Sequence, residues 1–172
     1  MSGRLTIALM GVAFLLVVLS FGDRPSKFIW NRTQSVPEGL YVLTAQPTPF
    51  TRGDLVAYQP TPSEAQWLAD RGALGRNWPM LKRVAGLEGD EICFRQDTLL
   101  INGRPAAKRL VQDDLGQTLP RPSGCYRLGR ADILLLADHP RSLDGRYFGV
   151  QELSRVLGGA RPVWLRREPG NG

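Results

Sequence analysis

The sequence predicts a mainly β domain. Three observations carry that expectation. Short apolar runs recur along the chain, each closed by Gly, Pro or Asp; one Asn-Gly pair sits between two such runs; and only one segment carries helix signals. In chain order, Leu40–Thr44, Leu55–Tyr58, Leu81–Ala85, Glu91–Phe94, Thr98–Ile101, Ile133–Ala137 and Tyr147–Val150 read as strands. Asn102-Gly103 follows Thr98–Ile101 and supplies the positive φ angles of a tight hairpin. Ser63 is the expected cap of the one helix, with Gln66 completing a capping box and Arg71 near its end. Gly22 to Gln34 reads as an irregular approach, and the tail after Leu165 as frayed.

A chain of 172 residues is long enough for one domain with a real core. Its formal charge of +6 invites an anionic partner. No Lys/Arg run exceeds Arg166-Arg167 and no basic stripe is interleaved with aromatics, so nucleic acid is not expected. His139, Cys93 and Cys125 are too few and too scattered for a structural zinc site, so neither metal nor cofactor is expected.

Leu5–Phe21 carries no charge, and as a helix it would be about 25 Å long against a hydrocarbon core of roughly 30 Å. Arg4 before it and Ser20-Phe21-Gly22 after it also fit a cleaved secretory signal. The stretch is longer than a usual signal core, so residues 1–22 are read as an uncleaved anchor and 23–172 as the exported domain. Arg24, Lys27 and Arg32 oppose the positive-inside expectation, so flanking charge does not set the orientation. If the domain is exported, Cys93 and Cys125 meet an oxidising compartment; a disulfide and two separate buried thiols both stay open. Phe28-Ile29-Trp30 suits either a membrane interface or ordinary core.

Three segments carry chemistry. Ser35-Val36-Pro37 puts a hydroxyl on a constrained turn, because a proline holds the residue before it extended. Lys82 opens the apolar run that ends in Gly86-Leu87-Glu88-Gly89-Asp90; a lysine works as a base near neutrality only when burial lowers its pKa. Lys82 and Arg83 must point to opposite faces, and the sequence leaves open which is inward. The loop from Ala137 to Gly149 gathers Asp138, His139, Ser142, Asp144 and Arg146. Each segment alone equally fits a solvated turn or strand edge.

Together and in this order, the segments resemble the type I signal peptidases, and most closely their conjugative-transfer (TraF-like) relatives. Ser35 matches the nucleophile of a Ser-x-Pro segment that follows the anchor. Lys82 to Asp90 match the family's Lys-Arg-Val-x-Gly-x-x-Gly-Asp, whose lysine is the general base. Ser142 to Gly149 match Ser-x-Asp-Ser-Arg-Tyr-x-Gly, with Gly145 in place of the second serine. Ser35-Val36-Pro37 departs from the housekeeping Ser-Met-x-Pro, and Ala137-Asp138-His139 replaces Gly-Asp-Asn.

The resemblance implies a coiled β-sheet catalytic domain, shared with LexA-like self-cleaving repressors, behind a membrane anchor. It implies a Ser35–Lys82 dyad, with the Ser35 N–H and the Thr33 hydroxyl as oxyanion donors. Ser142 would orient the lysine, and Asp144 with Arg146 would hold the loop. The implied substrate is an exported precursor, above all a conjugative pilin whose ends some relatives join. The implied place is the inner membrane, with the domain periplasmic and conjugation-apparatus proteins and lipid as neighbours. The competing readings are a triad based on His139, a general signal peptidase, an inactive anchored assembly protein, and a self-cleaving repressor. The N-terminal apolar segment stands against the last.

Overall fold

The computed structural model describes residues 10–12, 28–45 and 49–166. The anchor expected at Leu5–Phe21, and the boundary after residue 22, therefore lie outside the described residues except at 10–12. Among the described residues no helix is long and apolar enough to cross a membrane.

The domain is mainly β, as its short apolar runs require. Among the described residues eleven strands form two antiparallel sheets: β1 (Phe28–Asn31), β2 (Gly39–Thr44), β3 (Leu55–Tyr58), β4 (Met80–Gly86), β5 (Glu91–Phe94), β6 (Thr98–Ile101), β7 (Arg104–Lys108), β8 (Gly124–Arg127), β9 (Asp132–Leu136), β10 (Gln151–Glu152) and β11 (Val156–Leu165). The large sheet runs β1-β2-β11-β3-β4-β9-β10 and the small one β7-β6-β5-β8. Asn102 (φ 51°) and Gly103 (φ 76°) turn β6 into β7, as the Asn-Gly pair predicts. Cys93 and Cys125 face each other across β5 and β8 and are joined in a disulfide, which resolves the alternative left open above.

Three packed clusters hold the sheets. Val56, Tyr58, Met80, Val84, Ile133 and Leu135 cover one face of the large sheet and receive Leu68 from helix α1 (Pro62–Asp70). Ile92, Phe94, Leu99 and Leu128 of the small-sheet region close on Leu134 and Leu136 of β9. Val36, Tyr41, Ala57, Leu81 and Ala160 form the third, directly beneath the Ser35 turn.

Four expectations are corrected. Tyr147–Val150 is not a strand: Gly145–Phe148 is a single helical turn, α2, because the Asp144 side chain caps it by accepting from the Arg146 N–H. Helix α1 is capped by Thr61, not Ser63; Thr61 and Glu64 form the reciprocal box and Pro62 occupies the first turn, where its missing N–H costs nothing. Phe28–Asn31 is a strand, not an irregular approach, and pairs with β2 in the register Asn31↔Gly39. Helix α1 is also not alone, since α2 and a 3-10 turn at Leu153–Arg155 accompany it.

Candidate active site

The turn bearing Ser35 links β1 to β2. Its shape follows from two inward anchors, one apolar and one polar. Val36 is buried in the third cluster, and Asn31, the last residue of β1, is buried beneath the turn. Asn31 Nδ2 donates to the carbonyls of Thr33 (2.8 Å), Val36 (2.9 Å) and Pro37 (3.2 Å). Its Oδ1 accepts from the Thr33 N–H (3.3 Å) and the Thr33 hydroxyl (3.0 Å). Tyr41 adds a hydroxyl hydrogen bond to the Pro37 carbonyl at 2.7 Å.

Lys82 lies on β4 opposite Val56, on the face shared by Met80 and Val84. It is 2% exposed, whereas Arg83 turns to the other face and pairs with Asp138. The pleat thus answers which of the two faces inward. Lys82 Nζ donates to Ser35 Oγ at 3.0 Å and to Ser142 Oγ at 2.6 Å, and the two hydroxyls are 2.9 Å apart. Three functional groups close a triangle within hydrogen-bond reach. Burial lowers the Lys82 pKa from 10.5 to about 8; the Asp144 carboxylate opposes that fall and the Arg146 guanidinium adds to it. At pH 7 roughly a tenth of such lysines are neutral, enough to serve as a base.

Ser142 is held by the loop around Asp144 and Arg146. This ion pair is fully sealed, with side-chain exposures of 0% and 3%. Asp144 accepts from the Ala137 N–H and from Arg146 Nε. Arg146 donates to the carbonyls of Ala137, His139 and Pro140. The pair therefore ties both ends of the loop together, as a scaffold and not as a proton carrier. Gly145 is pressed against β9, where a Cβ would sit 2.7 Å from the Leu135 carbonyl oxygen. Lack of space accounts for the absence of a side chain at this position. From behind, buried Arg109 donates to the Arg146 carbonyl and to the carbonyl of Pro122, and the Leu110 N–H donates to the Tyr147 hydroxyl. The small-sheet region is thereby fastened to α2.

His139 is not drawn into the triangle. Its Nδ1 accepts from the Arg141 N–H at 3.3 Å, and Ser35 Oγ has Lys82 and Ser142 as its partners. Thr33 lies in the Ser35 turn, but its single hydroxyl proton is engaged, since Asn31 Oδ1 can only accept. Asn31 and Arg109 are the two residues that the sequence did not single out. A long trough of about 1900 Å³ passes Ser35, Lys82 and Ser142, with Ile29, Leu81 and Leu143 among its walls. Its size and openness suit an extended polypeptide better than a small molecule.

A profile of the family described as signal peptidase, peptidase S26, matches residues 2–165. The chain belongs to this family. Among its relatives, a plasmid transfer protein TraF from Escherichia coli is 32% identical over 171 residues, covering 91% of this chain and 92% of that one. A conjugal transfer protein TraF from Agrobacterium fabrum is 31% identical, covering 95% of this chain and 98% of its own. A solved signal peptidase I from Enterococcus faecalis, 22% identical, superposes over 67% of this chain and 98% of its own with a TM-score of 0.39. Membership places this chain among the serine peptidases of the signal-peptidase type.

Proposed function

We propose that this chain is a membrane-anchored serine endopeptidase in which Ser35 is the nucleophile and Lys82 the general base. The observation that carries the reading is the buried Lys82 Nζ, 3.0 Å from Ser35 Oγ. Neutral Lys82 takes the Ser35 proton as Oγ bonds to the scissile carbonyl carbon. The Ser35 N–H meets the developing oxyanion; the Thr33 hydroxyl joins it by turning away from Asn31. The Lys82 ammonium then protonates the departing amine, leaving an acyl ester on Ser35. Lys82 next removes a proton from water, which attacks the ester and frees Ser35 and a new carboxyl terminus. If the substrate's own amine attacks in place of water, the same steps join its ends. Ser142, hydrogen-bonded to both partners, holds the lysine on line.

The substrate in this reading is an exported conjugative pilin precursor, in keeping with the plasmid and conjugal transfer proteins among the relatives. The domain works on the periplasmic face of the inner membrane. The Cys93–Cys125 disulfide supports an oxidising compartment. The exposed stack of Trp30 on Trp164, with exposed Phe28 on the strand that follows the N-terminal segment, supports contact with lipid.

The test follows pilin-precursor processing in membranes by wild type, Ser35→Ala and Lys82→Ala. Both variants are expected to accumulate precursor. Appreciable processing by Lys82→Ala would remove the dyad. Equal processing of unrelated preproteins would make the chain a general signal peptidase, and no labelling of Ser35 by a phosphonate would make it an inactive assembly protein.

A further inference from the structure

The turn that carries Ser35 is folded around a single buried side chain. Asn31 is 7% exposed, and all its hydrogen-bonding capacity is used. The network itself assigns the amide: the atom facing three carbonyl oxygens must be the nitrogen, and the atom facing the Thr33 N–H must be the oxygen. The carbonyls it binds belong to Thr33, Val36 and Pro37, so one point tethers the chain just before and just after the two peptide planes that flank Ser35. Ser35 is strung between these tethers, which restricts how its N–H and Oγ can turn. A carboxamide, with its two donor hydrogens and its acceptor oxygen, meets this demand. Aspartate would set a carboxylate oxygen against three carbonyl oxygens, and an aliphatic residue would leave a ring of polar groups unpaired.

We propose that Asn31 is the positioning residue of the nucleophile: its carboxamide aims Ser35 Oγ along the line to Lys82 and presents the Ser35 N–H to the oxyanion. It touches neither the substrate carbonyl nor Lys82 and acts through the backbone of residues 33–37. The Thr33 hydroxyl bond to Oδ1 belongs to the same device. It parks that hydroxyl in the resting site and adds to the rigidity of the turn. This inference rests on the reading of Ser35 as nucleophile.

The experiment measures the second-order rate constant for phosphonylation of Ser35 by an alkyl fluorophosphonate in the full chain, as a function of pH. Intact mass counts the molecules that react. Asn31→Ala and Asn31→Asp are expected to lose about a hundredfold in rate constant, the scale of an ångström-level misplacement. Because Asn31 makes no contact with Lys82, the midpoint of their pH profiles stays at about 8. A side chain needed only for folding would reduce the number of reactive molecules and leave the rate constant of the remainder unchanged. Rate constants within about threefold of wild type would overturn the proposal. If neither variant folds, Asn31→Ser, which keeps one short donor, is judged on the same two readouts. Failure of wild type to react, or reaction that survives Ser35→Ala, would overturn the nucleophile reading instead.

Discussion

Replacing Lys82 by Met keeps a four-atom stem in the same cavity and removes the ammonium. The lysine is charged in the unfolded chain up to about pH 10.5, but in the folded site only up to about 8. Below pH 8 both states hold the proton, so wild type bears the whole cost of a buried charge, about 3 kcal/mol at 1.36 kcal/mol per pH unit. Between pH 8 and 10.5 the unfolded state binds more protons than the folded one, so stability rises with pH. Lys82→Met has no such term. The stability of wild type relative to Lys82→Met should therefore climb by about 2–3 kcal/mol between pH 7 and 10. Repacking displaces the whole curve without tilting it, and groups common to both proteins cancel in the difference. Urea unfolding of both proteins at pH 7, 8, 9 and 10 measures the climb. A difference that stays flat across this range would show that the lysine does not carry a depressed pKa, and the neutral-base mechanism would fall with it.

Two further outcomes follow from the same geometry. The acylation rate of Ser35 should rise about tenfold per pH unit below pH 8 and level off above it, because only neutral Lys82 accepts the proton. Acylation that survives Lys82→Ala but is lost in His139→Ala would transfer the base role to His139. Asp144→Ala strands the buried Arg146 guanidinium and should cost about 3–5 kcal/mol of stability. Thermal unfolding would register that as a large fall in Tm, and a fall of only a degree or two would mean that the pair is not the scaffold of the loop.

What could be read from the sequence depended on whether the cause was local. Leu55–Tyr58 is an unbroken apolar run, Glu91–Phe94 and Thr98–Ile101 are apolar runs behind a single polar residue, and all three form strands with those bounds. Strand β11 was hidden because Gly158, Gly159 and Pro162 break its pattern. Its register shifts between Val156 and Gly158 and again between Pro162 and Trp164, and such irregularities let a strand tolerate these residues. Tyr147–Val150 misled for the opposite reason: four apolar or small residues resemble a strand until a cap at Asp144 and a positive φ of 83° at Gly149 impose a turn.

Within the site, Ser35, Lys82 and Ser142 were legible as an ordered set of motifs, and the structure brings them into one triangle. Asn31 and Arg109 were not. Their importance comes from burial against carbonyls of other segments, up to 37 residues away for Arg109, and no property of the side chains themselves announces it. Thr33 falls between these cases. The motif places it beside Ser35, but the partner of its hydroxyl is decided by a neighbouring strand.

Strand β11 has a consequence for when activity can begin. It lies between β2, which follows Ser35, and β3, which pairs with the strand of Lys82. The strand-pairing path from Ser35 to Lys82 therefore runs through residues 156–165. A chain emerging from the ribosome has Ser35 and Lys82 outside long before it has the strand that aligns them. Contacts of such long sequence separation form late and slowly. Ser35 and Lys82 are therefore brought into register only once residues 156–165 have paired with both neighbours.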